Sequence, residues 1–216
     1  MFTTVSQLFS KAALQTALVI GLATGSSAAV VAINPGDFDG SETTIDFNSI
    51  ADEVDITNQY AGLGVTFSGG LSGMDNGGDT SLFNGSNIAS TWKYNGGGLQ
   101  TLVWEAAFSS MQTMVGFWAE TNTGDNVMIE LFSGLTSLGS LAFNNANGLT
   151  IDFLGAGIST GFDRIKVTTE NNYNGFFAMD DFRFSDQALA PVPLPASLPL
   201  LFGAFVLLGA VRKRKS

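Results

Sequence analysis

Two neighbouring aspartates, Asp180 and Asp181, interrupt the apolar run Phe176-Phe177-Ala178-Met179-Asp180-Asp181-Phe182-Arg183-Phe184. Aspartate is depleted in strands, and strand neighbours face opposite ways, so one of the two is expected to point inward. A buried carboxylate needs a positive partner or a metal ion. Arg183 or Lys93 would serve as the partner. A second acidic segment, Met74-Asp75-Asn76-Gly77-Gly78-Asp79, lacks the Asp-x-Asp-x-Asp-Gly spacing and the closing Glu of an EF-hand loop. It reads as a solvated turn.

Glycan binding calls for aromatic faces beside polar groups. Trp92 and Tyr94 are two residues apart and would share a strand face, with Asn95 at the following turn. They form the candidate ligand-binding pair, and Trp104 and Trp118 are further candidates. Core packing is the competing role for any aromatic in a small sandwich. Catalysis has fewer footholds. The 216 residues include no cysteine and no histidine, which excludes disulfides, thiolate zinc sites and Ser-His or Cys-His nucleophiles. Glu105, Glu120 and Glu130 lie on predicted strands, and a carboxylate pair can cleave glycosides without histidine. No Glu-x-Asp-x-x-Glu array accompanies them. The catalytic assignment is therefore none, and a hydrolase using a carboxylate pair is the alternative.

All 19 acidic residues fall between Asp37 and Asp186, and only Lys93, Arg164, Lys166 and Arg183 oppose them there. Four cations against nineteen acids leave −15 on the interior, although the whole chain carries −10. Such a surface excludes nucleic acid as a partner and suits divalent cations.

The elements that must position these groups are short. Apolar-rich runs alternate with Gly/Asn/Asp/Ser turns at spacings near ten residues. Strands are predicted over 43–50, 64–68, 88–94, 100–108, 114–120, 127–133, 137–143, 149–154, 162–169 and 176–184. Turns at 95–98, 123–126 and 147–148 carry residues that tolerate positive φ. The fold class is all-β, an antiparallel β-sandwich of jelly-roll type over residues 33–190. In the strand 162–169, Asp163, Ile165, Val167 and Thr169 are expected to face the core. Its pairing with 176–184 through an Asn-rich hairpin is the expected topology.

Both ends read as addresses. Residues 1–32 have Lys11, an apolar stretch and small residues, with Ser27-Ala28-Ala29 or Val30-Val31-Ala32 suiting signal peptidase. At the other end four of the five prolines cluster between Pro191 and Pro199, ahead of an uncharged apolar run and a basic tail. A helix over 196–211 would be about 24 Å long, short for a membrane span. Its basic flank would stay cytoplasmic and leave the body outside.

The segment Val192-Pro193-Leu194-Pro195-Ala196, followed by 197–211 and by Arg212, Lys213, Arg214 and Lys215, resembles the PEP-CTERM sorting signal in its VPLPA form. The resemblance implies a sorting signal over 191–216 with its transmembrane helix at 197–211. It also implies a Gram-negative source, an inner-membrane intermediate, exosortase processing and delivery to the cell surface or an exopolysaccharide matrix. The competing expectation is a permanently anchored ectodomain.

The ending Ala178-Met179-Asp180-Asp181-Phe182 resembles the last strand of jelly-roll domains of MAM type and of carbohydrate-binding modules. The opening Ile45-Asp46-Phe47-Asn48 and Gly64-Val65-Thr66-Phe67 is similar to exported sorting-signal proteins with that body. What the resemblance implies is a structural calcium held between last and first strands. Asp180, Asp181, Asp46, Asn48 and Glu53 would be its ligands, with Asp52 and Asp55 nearby. Together these readings lead to an exported, non-enzymatic surface or matrix protein that binds polysaccharide.

Overall fold

The computed structural model describes residues 28–75, 83, 87–91, 93, 100–121, 126–144, 150–171 and 177–189. They form ten strands: β1 (Val31–Ala32), β2 (Thr43–Ile45), β3 (Val65–Ser68), β4 (Ser72–Asp75), β5 (Asn87–Ser90), β6 (Gln100–Thr121), β7 (Asn126–Ser133), β8 (Thr136–Asn144), β9 (Thr150–Asn171) and β10 (Ala178–Ser185). Every pairing between them is antiparallel. Residues 1–27 of the expected signal, the predicted transmembrane helix at 197–211, the sorting motif Val192–Ala196 and the basic tail lie outside the described residues. Among the described residues no helix is long and apolar enough to cross a membrane.

β6 and β9 each unite two of the predicted strands. They pair along their whole length, from Gln100↔Asn171 to Thr121↔Thr150, with the register broken between Ala107 and Gln112. At that break the two-stranded ribbon folds over, as strands do when they turn a corner between packed sheets. Ser109, Ser110 and Met111 are exposed at the bend of β6, and Gly161 takes φ +78° at the bend of β9. A side chain is strained in that conformation, so glycine is required where the ribbon turns.

One half of the ribbon lies in a layer ordered β3-β6-β9-β7-β8; the other half joins β4-β5-β10-β6-β9-β1, with β2 also on β10. The layers meet through an aromatic core. Phe67 of β3 lies 5.2 Å from Phe182 of β10, and Trp104 and Phe117, from opposite halves of β6, are 5.6 Å apart between ring centroids. Period-2 alternation fills the rest: Val127, Ile129 and Leu131 of β7 and Ile165 and Val167 of β9 are all buried.

Four expectations need correction. β10 does not pair with β9, because β6 lies between them. The reason is visible in β10 itself: six of its eight residues, all but Asp181 and Arg183, are buried, too many for a one-sided edge. Such a run suits a central strand with neighbours on both edges. Phe162, expected on the outer face of its strand, is fully buried because it follows the bend at Gly161; Ile165, Val167 and Thr169 do face inward. Finally, Met74 and Asp75, expected in a solvated turn, belong to strand β4, and the strand expected over 43–50 stops at Ile45, with Phe47 at φ 51°.

Candidate functional site

The aspartate pair sits where β10 changes neighbours. Along one edge of β10, β5 pairs up to Met179↔Ala89, and β2 begins at Phe182↔Ile45. Asp180 and Asp181 occupy the gap. On the opposite edge the register with β6 shifts between Asp180 and Arg183. Asp181 takes φ 49°, a left-handed conformation that Asp tolerates better than most residues, and its amide donates to Asp180 Oδ1 at 2.8 Å.

The chain leaving β2 closes the gap. Asn48 N donates to Asp46 Oδ1 at 3.2 Å, and Asn87 at the start of β5 donates through Nδ2 to the Ile50 carbonyl at 2.7 Å and through its amide to Asn48 Oδ1 at 3.4 Å. Behind this segment Phe47 and Tyr60 meet edge to face at 5.6 Å.

Asp180 is the inward member of the pair, 1% exposed, and its Oδ2 has no hydrogen-bond partner. Burial pushes its carboxyl up to about 7; the Asp181 amide opposes the rise, and the charges of Asp181 and Asp46 add to it. Tyr60 is raised as well, first by burial and then by Asp46 and Asp180, with Ser49 countering. Its hydroxyl is buried without a hydrogen bond of normal geometry. Among the described residues no cation pairs with Asp180 itself. Arg183 reaches Asp181 at 3.6 Å and Glu42 at 3.8 Å, and Lys93 pairs with Asp55.

Of the five expected calcium ligands, Asp46, Asn48, Asp180 and Asp181 therefore gather at this joint. Glu53 does not take part in the joint's hydrogen bonds. Its amide donates to Gly73 of β4, and its carbonyl accepts from Lys93 Nζ at 2.9 Å. Asp52 accepts from the Asp75 amide. Among the described residues no three acidic side chains are grouped as metal ligands. At the joint one buried Asp180 oxygen is left without a donor, and the charge of Asp46 acts on it. Tyr60 and Ser49 escaped the sequence reading; only the fold brings residues 49, 60 and 180 together.

The aromatic candidates divide. Trp104 is fully buried in the core. Trp118 alternates with the buried Phe117 and Ala119 and so faces outward from the second layer, partly exposed. Phe153 stands opposite it across the β6–β9 ladder, 5.4 Å away and edge to face. The Phe153 ring occupies the space over Gly116, where a Cβ would come within 2.4 Å of it. Glu120, two residues beyond Trp118 on the same face, has its carboxyl raised by burial. Phe83, Ile88 and Ala178 form a small cluster that Trp118 borders. Trp92 and Tyr94 lie outside the described residues.

The three strand glutamates do not converge. Glu105 pairs with Arg164 at 3.0 Å and Glu130 accepts from Ser137 Oγ at 2.7 Å, both on the outer face of the first layer, where Lys166 stands between them in register. Glu120 lies on the outer face of the other layer.

No protein-family model matches the chain, and no curated protein matches it in sequence. Among solved structures, the chain is similar to TmCBM61 in complex with beta-1,4-galactotriose at 16% identity, covering 57% of this chain and 88% of that one, with a TM-score of 0.40. It is similar to the carbohydrate-binding module CBM36 in complex with calcium and xylotriose at 14% identity, covering 66% and 99%, with a TM-score of 0.32. A family 11 carbohydrate-binding module of a Clostridium thermocellum cellulosomal cellulase matches at 13% identity over 67% and 94%, with a TM-score of 0.34.

Proposed function

We propose that this chain is an exported, non-enzymatic surface or matrix protein whose β-sandwich binds polysaccharide and holds a structural calcium at the β2–β5–β10 joint. The observation that carries the binding reading is the outward face of the second layer. There Trp118, set against Phe153, offers an aromatic surface with the Glu120 carboxylate two residues away. A sugar ring presents C–H groups to such a face and hydroxyls to such a carboxylate.

The case for a non-catalytic body is the scatter of its carboxylates. Glu105 is engaged by Arg164, Glu130 by Ser137, and Glu120 is on the other layer. The calcium reading rests on Asp180, because a fully buried carboxylate oxygen without a donor is costly unless a proton or cation meets it. Export rests on the terminal sequences: a signal at the start, and at the end the VPLPA motif, apolar segment and basic tail. Signal peptidase and an exosortase would act in turn, the inner membrane being a transient station before the surface or matrix of a Gram-negative cell.

Affinity electrophoresis tests the binding. Gels cast with xylan, β-galactan, mixed-linkage glucan or the producing cell's own exopolysaccharide should retard the protein without releasing sugar. Retardation by none of them would sink the binding reading, and soluble product would replace it with the hydrolase. Mass spectrometry of the released protein tests the sorting: finding Arg212–Lys215 still attached would favour the permanent anchor.

A further inference from the structure

We propose that the export signal is cut between Ala29 and Val30, so that the mature chain begins at Val30; this rests on the export reading above. The sequence offers two bonds to signal peptidase, after Ala29 and after Ala32, each ending a triplet with small or compact residues at the recognised places. The enzyme meets the chain before it folds, so both are open to it. The fold separates their products.

β1 comprises Val31 and Ala32, laddered on Gly157 and Ala156 of β9, and the next amide, Ile33 N, donates to the Gly155 carbonyl at 3.0 Å. Ile33 is 5% exposed and clusters with Phe38 and Met114. The β9 glycines are shaped to this segment. A Cβ on Gly155 would come within 2.4 Å of the Ile33 carbonyl oxygen, and one on Gly157 would meet the Ile33 side chain at 3.0 Å.

A cut after Ala32 removes β1 entirely. It bares the edge of β9 and turns the Ile33 nitrogen, at a buried residue, into an ammonium group. A cut after Ala29 leaves β1 whole. Ala29 is exposed and Val30 partly so, which lets the new ammonium group reach water. Val30 keeps its place beside Gly139 of β8, whose Cβ would lie 3.0 Å from the Val30 methyl.

The test is the N-terminal peptide of the full-length chain, expressed in a Gram-negative host and recovered from envelope and medium. Peptide mass spectrometry is expected to give Val30 as the first residue. Ala29→Tyr should abolish that peptide, and Ala32→Tyr should leave it unchanged. A mature chain beginning at Ile33, or a Val30 start that survives Ala29→Tyr, overturns the proposal and leaves export standing. A chain that still begins at Met1 in every fraction overturns the export reading and this proposal together.

Discussion

Trp104 and Phe117 lie thirteen residues apart on one strand, yet their ring centroids are 5.6 Å apart. A straight strand at ~3.3 Å per residue would hold them roughly 43 Å apart. β6 therefore contributes to both layers of the sandwich, and the two rings are the point where it closes on itself. Phe177 and Phe182 surround the pair, within 6.3 Å of Trp104 and 6.2 Å of Phe117. Phe117→Ala is expected to cost about 3–5 kcal/mol, since no neighbour can move into the space of a fully buried ring. At about 2–4 °C per kcal/mol for a domain of this size, the midpoint of a thermal melt should fall by about 6–20 °C. A drop of only a degree or two would mean the layers do not close on this contact.

The bend of β9 should be as sensitive to backbone as the core is to volume. Gly161→Val places a β-branched residue at φ +78°, with Cβ 3.3 Å from the Gln112 carbonyl oxygen. The expected loss is roughly 1–3 kcal/mol. Gly134→Ala, at the exposed β7–β8 turn with open space around its Cβ and φ 57°, should cost less. Chemical denaturation of the two variants in parallel checks the order.

Asp180 sets a pH dependence of unusual sign. Its carboxyl is raised to about 7 from the usual 3.8, so between these values the folded chain holds a proton that the unfolded chain has released. Stability of the metal-free protein should be greatest near pH 4 as far as this group is concerned, fall as pH rises through about 7, and level off above. At about 1.4 kcal/mol per unit the fall is at most about 4 kcal/mol. Asp180→Asn should flatten the curve, and denaturant midpoints measured in a chelator between pH 4 and 8 decide it.

Calcium should reverse that slope. A cation at the joint favours the ionised carboxylate, so millimolar calcium is expected to raise the melting midpoint at pH 8 and to have little effect at pH 5. Asp180→Asn and Asp46→Asn should each remove the shift, whereas Glu53→Gln should retain it, because Glu53 does not share the joint's hydrogen bonds. An unchanged midpoint with calcium at pH 8 argues against the site.

Trp118→Ala should separate binding from folding. The side chain is partly exposed, so its removal should lower stability by about 1–2 kcal/mol. Retardation in polysaccharide gels should fall about tenfold or more. Equal retardation of the variant would move the glycan surface away from this face.

Much of this architecture follows from local chemistry alone. Period-2 runs between Gly and Asn turns specify strands wherever apolar residues alternate, as in Val127, Ile129 and Leu131, because each strand must bury one face. The charge, the missing His and Cys, and the oddity of two aspartates in an apolar strand are properties of the chain itself. They mark Asp180 and Asp181 as the residues where chemistry would sit. What the chain could not settle were relations between distant segments. A ribbon of two 22-residue strands is indistinguishable locally from four short ones, since the bends at Ser109–Gln112 and Gly161 look like turns. The position of β6 between β9 and β10 depends on the aromatic faces that both layers must share. Which aspartate goes inward was likewise decided by the gap between β2 and β5, where burial and the neighbouring charges of Asp46 and Asp181 act on Asp180. Those are through-space effects, and only tertiary structure supplies them.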